Sequence, residues 1–146
     1  MEDEKQLGIY KKLREFQKLG IKVEKDATNP HYRSSYSSLN EVLDKVMAPL
    51  NQLCLVVVQK PEAEGLRTIL IDAETGETMQ GFIPYIGATD MQKLGGAISY
   101  ARRYSLIAML GLEAEDDDGN TASKPTQKVG NTNVDYPQND NGDLPF

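Results

Sequence analysis

Three strand-like runs joined by short connections constrain this chain most. They are QLCLVVVQK (52–60), LRTILIDA (66–73) and TMQGFIPYI (78–86), rich in the β-branched residues that suit a pleated, half-buried surface. PEAEG and ETGE separate them. A parallel crossover needs a dozen or more residues, so connections this short predict an antiparallel meander. Pro84 places the third run at an edge or an irregular position. A sheet must bury one face, and the pattern from Asp90 to Leu110 predicts a long helix to cover it. Thr89 with Gln92 gives a capping box ahead of that helix, and Gly111 gives a stop behind it. Leu94, Ile98, Ala101 and Ala108 can face the sheet.

Two shorter helices are expected before the sheet. Ile9, Leu13 and Phe16 fall at i, i+4 and i+7, with Gly20 as a stop. Ser38 and Glu41 form a second capping box. It leads into an apolar stripe of Leu39, Val42, Leu43, Val46, Met47 and Leu50. Between these helices, Asn29-Pro30 marks a turn or extended segment. The expected class is therefore α+β: a three-stranded antiparallel meander covered by a long helix, with N-terminal helices. After about residue 120 the chain turns to Thr, Asn, Gly, Pro, Gln and Asp with few apolar residues. Such a composition cannot offset its ordering entropy by burial. Residues 1–120 are read as one domain and 121–146 as a disordered acidic tail.

Across its 146 residues the chain carries 16 basic and 22 acidic residues, a net charge of −6. Taken whole, that argues against a nucleic-acid binder and against a polybasic membrane surface. The charge is uneven, however. Residues 1–4 hold three acids, residues 5–112 hold 14 basic against 11 acidic residues, and residues 113–146 hold 2 against 8. The body is mildly basic and the ends are acidic. No apolar run approaches the roughly 20 residues of a membrane span, and MEDEKQLGIYKK has no apolar signal core. One cysteine, Cys54, fits a reducing cytoplasm, and its place in an apolar strand predicts a buried structural thiol. With one histidine, His31, there is no zinc ligand set, and no P-loop occurs. The run Glu113–Asp118 fails the calcium-loop pattern, because Ala114 falls at its first position. It reads as a solvated charge cluster; a metal-dependent nuclease using Asp116–Asp118 would need carboxylates from several elements. No catalytic constellation, metal site or cofactor is expected.

Two clusters point toward nucleic acid. The first is Asn29-Pro30-His31-Tyr32-Arg33-Ser34-Ser35-Tyr36, preceded by Lys22 and Lys25. Hydroxyls and amides contact phosphates, and aromatic faces stack on unpaired bases. The second is GGAISYARRYSL (95–106). Gly95, Ser99 and Arg102 share one helix stripe; Gly96, Ser99 and Arg103 share its neighbour; Tyr100 and Tyr104 stand at i and i+4. Lys93 adds a cation just ahead. The bland alternatives are a polar loop whose tyrosines lean on the core, and a surface Arg pair with glycines packed tightly on the sheet.

In order and context, these clusters resemble the ERF (essential recombination function) family of phage single-strand annealing proteins. The matching stretches are NPHYRSSYSSLNEVLDKVMAPLN, QLCLVVV and GGAISYARRYSLIAMLGLEAEDDDGN, and the resemblance covers about residues 5–120. Where members often carry Lys before Asn-Pro, this chain has Thr28, with Lys25 the nearest substitute. The resemblance implies single-stranded DNA binding and strand pairing without ATP, and assembly into a homo-oligomer, ring or filament. It also implies a β-β-β-α core like that of eukaryotic annealing mediators. By position it points to Arg102 and Arg103 in the DNA groove with Ser99 and Tyr100 close by. Tyr32, Arg33, Ser34 and Tyr36 fall in the N-terminal motif. The final Asp143-Leu144-Pro145-Phe146 resembles the acidic tip of bacterial single-stranded-DNA-binding proteins, which implies docking onto host repair factors or onto partners of the host binding protein. The alternative function is a DNA-binding and recruitment module without annealing activity.

Overall fold

The structure is a computed structural model that describes residues 7–31 and 33–114. The chain divides into two units, Met1–Asp116 and Asp117–Phe146. The expected disordered tail, the Asp116–Asp118 run and Asp143–Phe146 lie outside the described residues, as does Tyr32. Among the described residues the fold is α+β, with three helices, two antiparallel sheets and one short parallel pair.

Helix α1 spans Ile9–Lys18 and buries Ile9 and Phe16. Gly8 supplies no side-chain cap; Glu77 from a distant turn does so instead, its Oε2 accepting from Ile9 N at 2.8 Å. On the buried face stands an unexpected cation. Lys12 is 4% exposed and pairs with the fully buried Asp72 at 2.6 Å and with Glu74. Burial alone would lower the Lys12 pKa, but the hydrogen bonds and charges of Asp72 and Glu74 outweigh it and raise it. Burial likewise works to raise the Asp72 pKa. The Lys12 ammonium and the backbone N–H groups of Glu74 and Thr75 overcome it, and the carboxyl stays below its ordinary range.

Strand β1 (Lys22–Val23) pairs in parallel with β7 (Glu113–Ala114). β2 (Ala27–Asn29) and β3 (Ser34–Tyr36) form a small antiparallel hairpin. Helix α2 (Leu39–Gln52) buries Val42, Val46 and Leu50, while Met47 is 37% exposed. The capping box ahead of it is only half formed. Ser38 Oγ accepts from Glu41 N at 3.1 Å, but the Glu41 carboxylate accepts from Glu24 N instead of reaching back. Ser38 N turns to Asp26 Oδ1 at 2.7 Å.

Cys54 corrects the expectation of a buried strand thiol: it is exposed. It sits at φ +57° in the reversal between α2 and the next strand, one residue before that strand begins. β4 (Leu55–Pro61), β5 (Gly65–Asp72) and β6 (Thr78–Pro84) then form an antiparallel sheet in the order β4-β5-β6. Val57, Leu70 and Met79 lie in one cross-strand row. Leu55, Leu66, Thr68, Leu70 and Asp72 are fully buried on one face. On the other, Val56, Val58 and Phe82 are about 40% exposed, with the Arg67 guanidinium 5.2 Å from the Phe82 ring centre. At the start of β5 the backbones approach closely: a Cβ on Gly65 would stand within 3 Å of Ile83 O, so only glycine fits.

Helix α3 (Met91–Leu110) packs against β5, β6 and α2. Its N-cap is Asp90, which accepts from Lys93 N at 2.8 Å. The expected Thr89–Gln92 box is therefore displaced by one residue, since the neighbouring Asp is an equally good cap former. Gly111 ends the helix at φ +65°, a left-handed conformation that glycine adopts without steric cost. Ala101, Arg103, Ser105, Leu106 and Leu110 are buried. The expected inward stripe is thus corrected: Ala108 is exposed, and Leu94 and Ile98 are only half-buried. Leu106 and Leu110 join Val42, Val46, Leu55 and Leu70 in the core instead. Among the described residues, no helix is long and apolar enough to cross a membrane.

Candidate functional site

The Asn29–Tyr36 cluster folds as the tip and second strand of the β2–β3 hairpin. Its register pairs Ala27 with Tyr36, Thr28 with Ser35 and Asn29 with Ser34. The Asn29 side chain shapes the turn by accepting from His31 N at 3.0 Å, the Asx geometry favoured before a proline turn. Arg33 takes φ +48° at the tip and is exposed, as are His31 and Thr28; Asn29, Ser34 and Tyr36 are half-buried.

The base of the hairpin is tied down twice. Asp26 accepts from Ser38 N and from Ser38 Oγ, at 2.7 and 2.6 Å. Those bonds hold its carboxyl below the ordinary range and fasten the hairpin to the N-terminus of α2. The second tie comes from α3. Arg103 Nη1 donates to Ser37 O at 3.2 Å. Its guanidinium carbon lies 4.6 Å from the Tyr36 ring centre, 4.8 Å from Tyr104 and 5.4 Å from Tyr100. Tyr100 and Tyr104 themselves stand 4.3 Å apart at 34°. The two sequence clusters therefore meet in space, at Arg103.

That meeting corrects the expectation of an exposed arginine pair. Arg103 is only 8% exposed, because three aromatic faces enclose it. Arg102 points elsewhere and is half-buried. Its Nε donates to Gln59 Oε1 at 3.1 Å, and Gln59 Nε2 returns bonds to Arg102 O and Thr68 Oγ1. Gln59 positions the arginine that remains accessible. Sequence reasoning missed it, although alternation in β4 places residues 55, 57 and 59 on one face and so flags a polar residue at the end of an inward row.

The other expected residues divide between the site and elsewhere. Ser99 and Lys93 are exposed on the first half of α3 and Tyr100 is 40% exposed. Lys25 is half-buried just before the hairpin. Lys22 belongs to the β1–β7 pair, where it meets Glu113 at 3.4 Å. Both partners there are largely exposed, so the pair contributes little. Gly95 and Gly96 are not packed against the sheet: a Cβ on either would meet nothing within 4 Å. No group of three or more metal-ligating side chains occurs among the described residues.

The hairpin is thus held against α3, on which Gln59 braces Arg102. The ERF superfamily model matches residues 9–143, and the chain belongs to that family. At family level this means recombination by single-strand annealing and interaction with single-stranded DNA. Neither a curated protein nor a solved structure matches the chain significantly.

Proposed function

We propose that this protein binds single-stranded DNA across the β2–β3 hairpin and the exposed half of α3, and pairs complementary strands without ATP. One observation supports this above all. The two polar clusters of the sequence are distant in the chain, yet they meet through Arg103 and Tyr36. The arrangement of α3 against β5 and β6 also supports likeness to a β-β-β-α annealing core.

The physics suits the task. A sequence-independent annealer must grip phosphates and leave base edges free to test a second strand. The planar fork of Arg102 donates to phosphate; Arg33, Lys25 and Lys93 add charge, and Asn29, Ser34 and Ser99 add polar donors. Each monomer holds few nucleotides, so a homo-oligomer, ring or filament, accumulates affinity over many weak sites. Strand pairing requires no bond to be made or broken, so the protein acts as a binder rather than an enzyme, in phage recombination within the host cytoplasm.

Mixing the protein with complementary strands, without nucleotide, should speed duplex formation over spontaneous pairing. No acceleration at any protein-to-strand ratio would overturn the proposal. A second reading, a recruitment module, is favoured by the Asp143-Leu144-Pro145-Phe146 sequence. It predicts that DNA is protected but not paired, and that deleting Leu144–Phe146 abolishes capture of host repair proteins.

A further inference from the structure

Arg102 and Arg103 are neighbours with opposite surroundings. Arg102 is half-buried and braced by a glutamine. Arg103 is enclosed. We infer that Arg103 is a positioning residue and not a phosphate contact: it latches the β2–β3 hairpin onto α3, and so fixes where Asn29–Ser34 stand relative to Arg102. Its effect on DNA binding rests on the proposed function; the latch itself rests on geometry alone.

Three observations carry this. First, a guanidinium 8% exposed, with rings of Tyr36, Tyr100 and Tyr104 within 5.4 Å, has no open face for an incoming phosphate. Second, two of its contacts, the Tyr36 ring and Ser37 O, belong to the end of the hairpin, across 66 residues of sequence. Third, strands of three residues do not hold a hairpin together in water by themselves, so its geometry depends on its anchors. The Asp26–Ser38 bonds reach α2; the Arg103 contacts reach α3.

The chemistry explains why the residue is arginine. A planar, weakly hydrated guanidinium stacks on aromatic faces while one edge donates to a carbonyl. Lysine keeps the charge but loses both the plane and the fork.

Amide hydrogen exchange without DNA and the salt dependence of oligo-dT binding, both on the full chain, test this. Arg103→Lys should raise exchange at residues 27–37 about tenfold or more while β5 amides stay protected, since local opening is independent of the core. Affinity for oligo-dT should fall at every salt concentration with the logarithmic salt slope unchanged. Tyr36→Phe, which keeps the ring, should keep the parent's exchange at residues 27–37; Tyr36→Leu should raise it as Arg103→Lys does. A slope flattened by about 0.7, the loss of one phosphate contact on a single strand, with hairpin protection intact would overturn the latch. Protection restored by lysine would overturn it too. Unchanged affinity with an opened hairpin would reject the positioning role. If the parent protein does not bind oligo-dT, the proposed function fails, and the exchange data still decide whether the latch exists.

Discussion

The two halves of α3 differ in what they face. From Met91 to Tyr100 no residue is buried; from Ala101 to Leu110 five are. The second half is held by the core through Leu106 and Leu110. The first half carries two glycines that no internal contact requires, an exposed Lys93 and Ser99, and Met91 at 81% exposure. Helix propensity alone would remove those glycines, since each costs about 1 kcal/mol relative to alanine. The second half of the helix therefore holds the fold, and the first half leaves both glycines open. Arg103 marks the junction.

The largest expected effect separates the halves by stability. Leu106→Ala should cost about 3 kcal/mol in denaturant unfolding, as for other buried leucines. Ser99→Ala should stay within about 0.5 kcal/mol. Comparable costs would erase the distinction.

The buried side should also depend on pH through Lys12 and Asp72. Asp72 has a lowered pKa, so its stabilisation is complete above its ordinary value of 3.8 and is lost as pH falls through the lower folded value. Lys12 has a raised pKa, so its share holds below 10.5 and is lost as pH rises through the higher folded value. Asp72→Asn should cost about 2 kcal/mol at neutral pH, less than full loss of a buried pair because Glu74 remains. Unfolding curves of parent and variant should converge in strong acid. A gap that persists at pH 2 would assign the loss to packing.

Arg102→Ala should weaken oligo-dT binding several-fold and flatten the salt slope by about 0.7, with unfolding nearly unchanged. The smallest effect has an opposite sign in its two readouts. Gly95→Ala with Gly96→Ala should stabilise the fold by up to about 1 kcal/mol per site while reducing strand pairing. Unchanged pairing would free both glycines from any partner.

Much of the architecture was legible because long periodic segments speak clearly. The three helices, the short strand connections and the Gly111 stop follow from spacing and turn chemistry. The β2–β3 hairpin was not legible, because strands of three residues show no period. Asp90 displaced Thr89 as the cap because adjacent cap formers compete within one residue. The alternation of β4 begins only at Leu55, and at Cys54 the chain reverses through a left-handed conformation. The two DNA-type clusters were visible by composition. The burial of Arg103 was not, since it depends on a tyrosine and a carbonyl brought in from 66 residues away.

The most direct measurement is an amide NMR titration of the full chain with oligo-dT. A DNA face on the hairpin and the outer half of α3 predicts that residues 27–36 and 91–102 shift first and most, while α1 and β5 hold still. Shifts confined to the open face of the β4–β5–β6 sheet, around Val58 and Phe82, or no shifts at all, would contradict it.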